Sequence, residues 1–161
     1  MESEAYNEDE ERKRPGVERV YRNDRILVSW EPKLCIHVGK CFRGLPEVFQ
    51  PQTRPWVKVD AAAADQIAEV VMTCPTGALH FERLDGGPQE PQQEETTITV
   101  QPSGPLYVRG QVRIVGLGGQ LIRADTRVAL CRCGHSENKP FCDGSHRRVG
   151  FRTTKVPESS G

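Results

Sequence analysis

Six cysteines, divided into two groups with different spacings, constrain this chain more than any other feature of its sequence. The groups are Cys35, Cys41 and Cys74, followed by Cys131, Cys133 and Cys142. Cys131 and Cys133 lie only two positions apart, which disfavours a framework of three disulfides. The polar, acidic N-terminus is no export signal, and the reducing cytosol would keep these thiols free. We therefore interpret both groups as metal sites.

The composition also favours a fold that a metal stabilises. The chain has 161 residues, of which 36% are hydrophobic and only 6% are aromatic. Small domains with little core material commonly depend on metals or disulfides. No apolar run approaches the roughly 20 residues that a membrane helix needs. We expect a cytoplasmic protein without membrane attachment.

Local composition divides the chain into four segments. Residues 1–16 are charged and poor in apolar side chains, which predicts a disordered tail. Residues 84–95 consist mainly of Gly, Pro, Gln and Glu, which indicates a linker. Residues 17–83 and 96–161 are then the two candidate modules.

The hydrophobic periodicity differs between the two modules. In the first, the pattern predicts a hairpin around Asn23, a strand over residues 56–59, and a strand over residues 78–81. Between those strands, Asp60 is expected to cap a helix that ends before Pro75. In the second module the period is two, with a turn at residues 116–119, which predicts an antiparallel sheet. The expected fold class is α+β, with a ferredoxin-like module followed by a small β-rich module.

The second group of cysteines lies in a segment that offers four soft metal ligands. These are Cys131, Cys133, Cys142 and His146. A Cys-x-Cys pair can hold one iron of a 2Fe–2S cluster while the other two ligands hold the second iron. Gly144 would let the chain fold tightly there, and Asp143 would orient the loop or a ligand. Zinc is the alternative, since three cysteines and one histidine also bind zinc, usually with wider Cys-x2-4-Cys spacing.

This segment resembles the CDGSH iron–sulfur domain of the NEET family, whose pattern is C-x-C-x2-S/T-x3-P-x-C-D-G-S/A/T-H. Every fixed position matches, at Cys131, Cys133, Ser136, Pro140, Cys142, Asp143, Gly144, Ser145 and His146. The resemblance implies a 2Fe–2S cluster with three Cys ligands and one His ligand, and redox activity that sometimes includes cluster transfer. His135 occupies a variable position of the pattern, so we expect it at the surface. The membrane attachment of some members is not carried over, because a second cluster site precedes the domain here.

The first group of cysteines has the spacing of an incomplete ferredoxin site. Bacterial ferredoxins use C-x2-C-x2-C followed by a later Cys-Pro. Cys35, Cys41 and Cys74 fit that frame, but Val38 stands where the middle thiolate is expected. A cubane with three protein thiolates has one weakly held iron, which indicates a 3Fe–4S cluster or a labile 4Fe–4S cluster. His37 is one residue out of register and is the candidate for a substitute ligand.

Residues 28–82 resemble two related groups, the divergent single-cluster ferredoxin domain often fused to CDGSH domains and the 3Fe–4S ferredoxins that serve haem-thiolate mono-oxygenases. The shared features are Cys35-x5-Cys41, the turn Leu45-Pro46-Glu47-Val48-Phe49, an Ala-rich helix, and Cys74-Pro75-x-Gly77-Ala78-Leu79. The missing second cysteine leaves the cluster type open. Leu45, Val48, Phe49 and Ile67 are expected to pack around the cluster.

Three functional hypotheses follow from the two sites. The first is a small electron carrier between a reductase and an acceptor, with no enzymatic turnover of its own. The chain has no P-loop and no complete G-x-G-x-x-G motif, so its electrons would come from a redox protein partner. The second is a cluster donor or redox sensor that uses labile clusters. The third is a zinc-stabilised interaction module.

The charge distribution indicates which kind of partner the second module would meet. Residues 96–161 carry ten basic and four acidic side chains, a net charge of +6. A basic face favours an acidic redox partner, and an ordinary solvated surface is the alternative. Nucleic-acid binding is not expected, and the oligomeric state stays open.

Overall fold

The computed structural model describes residues 19–153, so the tail expected over residues 1–16 lies outside the described residues. The chain divides into two compact units. The first comprises residues 19–32, 38–74 and 78–91, and the second comprises residues 33–37, 75–77 and 92–153. The last crossing between the units therefore falls inside the segment that the sequence predicts as a linker.

A three-stranded antiparallel sheet forms one side of the first unit. It consists of β1 (Arg19–Arg22), β2 (Ile26–Trp30) and β3 (Leu79–Arg83), in that order across the sheet. Asn23 makes the turn between β1 and β2, because its side-chain oxygen accepts the backbone N–H groups of Arg25 and Ile26. The predicted hairpin and the predicted strand near residue 80 are both confirmed.

Two short α-helices and one turn of 3-10 helix complete the first half of the chain. They are the 3-10 turn Pro32–Leu34, α1 (Lys40–Gly44) and α2 (Ala64–Val71). The buried side chains of α2 are Ala64, Ile67, Ala68 and Val71, as the periodicity predicts. The cap is different from the prediction. Ala63 is the N-cap residue, and Asp60 instead accepts a hydrogen bond from Asn23 Nδ2 at 2.9 Å.

The strand expected over residues 56–59 was wrong in extent. Only Val57 makes a β-bridge, with Phe49, supported by backbone hydrogen bonds from Gln50 to Trp56 and from Lys58 to Val48. Prolines at positions 51 and 55 lack backbone N–H donors, which limits the length of any ladder here. Trp56 and Val57 are buried nonetheless. The apolar pattern therefore predicted the burial of these residues correctly but overestimated the length of the strand.

The core of the first unit lies between the sheet and α2. Ile26, Val28, Val48, Ile67 and Val71 are each fully buried there. Three aromatic rings meet at one end of this core, where the Trp30 and Trp56 centroids are 4.9 Å apart and the Phe49 and Trp56 centroids are 5.7 Å apart. These contacts join β2 to the irregular segment that contains Phe49 and Trp56.

The second unit contains a second three-stranded antiparallel sheet. Its strands are β4 (Thr97–Val100), β5 (Leu106–Val115) and β6 (Leu121–Leu130), with β5 in the centre. The turn between β5 and β6 falls at residues 116–120, as the glycines there predict. A single helical turn, α3 (Ser145–Arg148), follows the loop that carries the cysteines.

The second sheet has little apolar core of its own. Within residues 92–153, the buried hydrophobic side chains are Val108, Val128, Ala129 and Cys142. Such a core supplies only a few kcal/mol at about 1.5–3 kcal/mol for each large apolar side chain. The sheet is therefore expected to depend on further stabilisation, which the cysteine loop is placed to provide.

The segment between the two sheets is partly held against β3. Glu90 accepts the backbone N–H of Phe81 at 3.1 Å and lies 2.9 Å from His80 Nδ1. Gln89 accepts the backbone N–H of Arg83 at 2.8 Å and donates to the carbonyl of the same residue at 2.9 Å. These side chains occupy the outer edge of β3, so the first part of the linker is structured.

The described residues thus form two small antiparallel sheets with few and short helices. Within residues 19–153 no helix combines the length and the hydrophobicity that crossing a bilayer requires.

Candidate metal centres

The cysteine loop of the second unit begins and ends on β6. The Cys131 N–H donates to the Pro140 carbonyl at 2.8 Å, and the Cys142 N–H donates to the Ala129 carbonyl at 2.8 Å. Phe141 also makes a β-bridge with Leu130. The chain therefore leaves β6 at Cys131 and returns alongside it at Cys142, which fixes the backbone on both sides of the loop.

Two polar side chains hold the interior of this loop. The Asp143 carboxylate accepts the backbone N–H groups of Glu137 and Ser145, each at 2.9 Å. Burial opposes its ionisation, but these donors and nearby Arg148 outweigh burial and lower the pKa of Asp143 to about 2. Buried Ser136 donates to the Phe141 carbonyl at 2.6 Å and accepts the Asn138 N–H at 3.0 Å. Asp143 thus orients the loop, as its sequence position indicates.

The four predicted ligands of this loop come together as two pairs. Cys131 Sγ lies 3.8 Å from Cys133 Sγ, and Cys142 Sγ lies 3.5 Å from His146 Nδ1. Two thiolates on one tetrahedral metal, each about 2.3 Å from it, are about 3.8 Å apart, and a thiolate and an imidazole are about 3.6 Å apart. Each pair is therefore spaced as two ligands of a single metal atom. Within residues 19–153, no three His, Cys, Asp or Glu side chains form a group suited to one metal ion.

Backbone N–H groups add a second layer of contacts around the sulfurs. The His135 N–H lies 3.4 Å from Cys133 Sγ, and the Gly144 N–H lies 3.4 Å from Cys142 Sγ. Gly134 and Gly144 have φ angles of 82° and 88°, which glycine adopts without strain and which turn the chain around the sulfurs. Donors of this kind stabilise negative charge on sulfur, which a thiolate-bound cluster carries.

The acid–base properties of the ligands differ from one to the next. Burial opposes ionisation of Cys131, but backbone donation from Ser136 and Gly134 lowers the pKa of its thiol overall. Burial raises the pKa of Cys142, and the Gly144 N–H offsets it only in part. Burial also lowers the pKa of His146, with a smaller effect from Arg147, so the imidazole favours the neutral form that binds metal. Cys131 and His146 are therefore biased toward the forms that bind metal, whereas burial biases Cys142 toward the thiol.

Arg132, between the first two cysteines, connects the loop to the sheet. Its guanidinium donates to the carbonyls of Gly104 and Gln101, at 2.9 and 2.7 Å, and lies 5.3 Å from the centre of the Phe151 ring. The side chain therefore ties the Cys-x-Cys turn to the β4–β5 connection. No pattern in the sequence marks Arg132, because its partners are backbone carbonyls that any residue carries.

The first group of cysteines is distributed over several elements. Cys35 is half-buried and its Sγ lies 3.9 Å from Nδ1 of exposed His37. His37 has a φ of 57°, an uncommon conformation for a residue with a side chain. The structure thus brings His37 toward Cys35, and it remains a candidate ligand.

Cys41 and Cys74 lie against the core of the first unit. Cys41 is the second residue of α1, and Cys74 follows α2, where its N–H donates to the Val71 carbonyl at 3.1 Å. Both are half-buried and pack against the hydrophobic cluster that contains Leu45, Val48, Phe49 and Ile67. These four residues are all buried, as the sequence predicts.

Several contributors to these sites were not identified from the sequence. They are Arg132, Gly134, Asn138 and Arg147, together with the backbone N–H groups that face sulfur. Gly134 gave a weak signal, since glycine often marks a positive φ. His135, expected at the surface, is exposed and places Nδ1 3.0 Å from the Cys133 carbonyl.

Comparison with protein-family models identifies a domain in each half of the chain. Residues 21–84 match the family described as "Divergent 4Fe-4S mono-cluster". Residues 103–147 match the family described as "Iron-binding zinc finger CDGSH type". The resemblances to the CDGSH domain and to the divergent single-cluster ferredoxin domain are thereby confirmed.

Curated proteins similar to this chain cover its N-terminal part. A protein of Escherichia coli strain K12, described as "Uncharacterized protein YjdI", is 33% identical over 66 residues, which are 41% of this chain and 87% of that protein. The protein of the same description from Escherichia coli O157:H7 matches with the same identity and coverage.

Proposed function

Since this chain belongs to the divergent 4Fe-4S mono-cluster family and carries in addition an iron-binding domain of the CDGSH type, we propose that it is a two-cluster electron carrier. It would pass single electrons between a reductase and an acceptor, both of them separate proteins. The family assignments support iron–sulfur binding at both sites, and the carrier role is the proposal.

The pairing of ligands in the cysteine loop is the observation that carries the proposal. A 2Fe–2S cluster needs two ligands on each iron, and Cys131 with Cys133 and Cys142 with His146 have the spacings of such pairs. When bound, the cluster would supply one-electron redox chemistry. The protein holds the thiolates and the imidazole, directs N–H groups at sulfur and keeps Cys142 and His146 away from water.

At the first site we propose a 4Fe–4S cluster that loses one iron readily and then becomes 3Fe–4S. Cys35, Cys41 and Cys74 would be the three thiolate ligands, with His37 as the fourth ligand when all four irons are present. Support comes from the family description and from Val38 at the place of a thiolate. The ferredoxin-like α+β arrangement of this module belongs to the same proposal.

The remaining features of the proposal concern the setting in which the protein works. It would act in the cytoplasm, without membrane attachment and without catalytic turnover. Its electrons would come from a protein partner, and the +6 charge of residues 96–161 favours an acidic one.

Spectroscopy of the full chain purified without oxygen tests the proposal directly. We expect red-brown protein with about two irons and two sulfides at the second site, and about three to four irons with four sulfides at the first. EPR spectra are recorded in both oxidation states, because 2Fe–2S and 4Fe–4S clusters give their signals when reduced and a 3Fe–4S cluster gives its signal when oxidised. Colourless protein with zinc in place of iron would refute it.

Val38→Cys is expected to give a stable 4Fe–4S cluster at the first site, because it supplies the missing thiolate. A wild-type four-iron cluster that withstands air would contradict the proposal that one iron of this cluster is weakly held.

A cluster donor or redox sensor is the second candidate function, and the exposure of His37 favours it. A cluster corner held by an exposed imidazole would be open to solvent and to an acceptor protein. Incubation with an apo-ferredoxin separates the two functions. A carrier retains both clusters through repeated reduction and oxidation, whereas a donor transfers iron and sulfide to the acceptor within the same period.

A further inference from the structure

The segment that carries Cys35 is held by hydrogen bonds from the cysteine loop and α3 of the second unit. Arg147 donates from its guanidinium to the Ile36 carbonyl at 2.8 Å. Asn138 donates from its side-chain amide to the Lys33 carbonyl at 3.1 Å. Residues 33–37 belong to the same compact unit as both donors, although they are more than a hundred positions away in sequence.

Both hydrogen bonds involve residues close in sequence to proposed metal ligands. Ile36 directly follows Cys35, and Arg147 directly follows His146. Asn138 lies in the loop between Cys133 and Cys142, where its backbone N–H is accepted by buried Ser136. Asn138 thus lies within the cysteine loop, and Arg147 lies on α3 beside a proposed ligand. Each acceptor carbonyl lies within two residues of Cys35, a proposed ligand of the other site.

The side chains around Cys35 show that the segment is packed as well as hydrogen-bonded. Leu34 and Ile36 are each 3% exposed, whereas Cys35 between them is half-buried. Because one buried apolar residue precedes Cys35 and another follows it, rotation of the backbone at Cys35 is limited. With the carbonyls of Lys33 and Ile36 also held, the direction of the Cys35 side chain depends on residues of the second unit.

A second segment next to a ligand of the first site shows the same dependence. Residues 75–77 follow Cys74 and also belong to the second unit. Gly77 lies so close to Asp125 and the Arg127 carbonyl on β6 that a Cβ atom would collide with both. Asp125 is itself held by Arg123, whose guanidinium lies 2.7 Å from it. The chain on the C-terminal side of Cys74 is thus fitted to the second sheet.

We propose that Arg147 and Asn138 are positioning residues for Cys35. The cysteine loop of the CDGSH domain (the CDGSH loop), together with α3, would then fix the backbone of the segment that carries this ligand of the first cluster site. The assignment of Cys35 as a ligand rests on the proposed function, whereas the anchoring of its backbone does not. The two sites are then coupled. A change that loosens the CDGSH loop loosens Cys35, and by linkage the occupied first site stabilises the CDGSH loop in return.

The two hydrogen bonds differ in expected strength. Arg147 is always charged, and a hydrogen bond from a charged donor contributes more than one from a neutral amide. The guanidinium is also partly exposed to water, which reduces the effect of its removal. We expect Arg147 to dominate and Asn138 to add a smaller contribution of the same sign.

Hydrogen–deuterium exchange of the full chain, purified without oxygen, tests the anchoring whether or not a cluster is bound. In Arg147→Gln, backbone amides of residues 34–38 are expected to exchange about three- to tenfold faster than in the wild type. Asn138→Ala is expected to show a smaller increase, and Arg147→Lys an intermediate one. Arg152→Gln is the matched control, because Arg152 is exposed and its guanidinium donates to the neighbouring Phe151 carbonyl.

The rate of cluster loss links the anchoring to the metal site. With a chelator present, the EPR signal of the first cluster is expected to decay several-fold faster in Arg147→Gln and Asn138→Ala than in Arg152→Gln. Asn138→Ala matters here because Arg147 also affects the electrostatics of His146. Wild-type exchange over residues 34–38 in both variants would overturn the proposal. Faster exchange in protein that binds no iron would sustain the anchoring and refute the two-cluster function.

Discussion

At position 77, a φ of 75° and the adjacent backbone of β6 leave room only for glycine. An added Cβ would collide with the Arg127 carbonyl and crowd the Asp125 carboxylate, neither of which is a flexible side-chain end that moves cheaply. Gly86 has a similar φ of 81° but open space around it. The two glycines therefore separate the cost of the backbone conformation from the cost of the collision.

Gly77→Ala is expected to lower the free energy of unfolding by about 1–3 kcal/mol more than Gly86→Ala does, because only the first change also overpacks the structure. The measurement is chemical or thermal unfolding of both variants, with iron content held equal. Equal destabilisation of the two would mean that residues 75–77 do not depend on β6.

The choice of histidine at position 146 is expected to set the reduction potential of the second site. His146→Cys replaces a neutral ligand by a thiolate and so adds a negative charge to the cluster. Histidine ligation raises the potential of Rieske centres, so the variant is expected to keep a 2Fe–2S cluster at a lower potential. A redox titration followed by visible absorbance gives the result. His135→Cys is the control, since exposed His135 is not among the four predicted ligands and its replacement is expected to leave the potential near that of the wild type.

At the scale of the elements, the sequence predicted those whose pattern depends on neighbours close in the chain. The β1–β2 hairpin follows from Asn23, whose side chain makes the turn locally. The apolar face of α2 follows from its period. The start of α2 was not predicted correctly. Asp60 does not cap the helix, because its carboxylate accepts a hydrogen bond from Asn23, 37 positions away. Contacts between distant segments decide such boundaries.

The candidate sites show the same division between local and distant information. The four predicted ligands of the second site lie close in sequence, and their arrangement in two pairs followed from the motif. The contacts of Arg132, Asn138 and Arg147 did not, because each donates to a backbone carbonyl at least 28 positions away. A carbonyl has no side-chain identity, so the sequence offers no partner to recognise.

Glu90 tests whether the start of the linker is part of the first unit. Glu90→Ala leaves the Phe81 N–H and His80 without this acceptor, so a loss of about 1–2 kcal/mol in the stability of that unit is expected. Glu94→Ala, at an exposed position further along, is expected to change stability by less than about 0.5 kcal/mol. If the two variants unfold alike, the contacts of Glu90 do not contribute.

For the whole molecule, the charge of residues 96–161 predicts a dependence on ionic strength. The reduced protein is expected to react with anionic ferricyanide faster at low salt than at physiological salt, because the +6 charge attracts the anion and salt screens it. With cationic hexaammineruthenium(III) the trend should be absent or reversed. The same salt dependence for both reagents would argue against a basic docking face.

The side chains of Gln89 and Glu90 also determine where the first module can be cut. β3 is an edge strand of its sheet, and those two residues occupy its outer N–H groups. In a fragment that ends at residue 83, the backbone N–H groups on this edge would lose these partners, and further copies of the fragment could add strands there. Such a fragment is expected to self-associate in gel filtration, whereas one that ends at residue 91 retains its own cover and elutes as a smaller species. A soluble fragment of the first module should therefore include residues 84–91 of the segment that the sequence predicts as a linker.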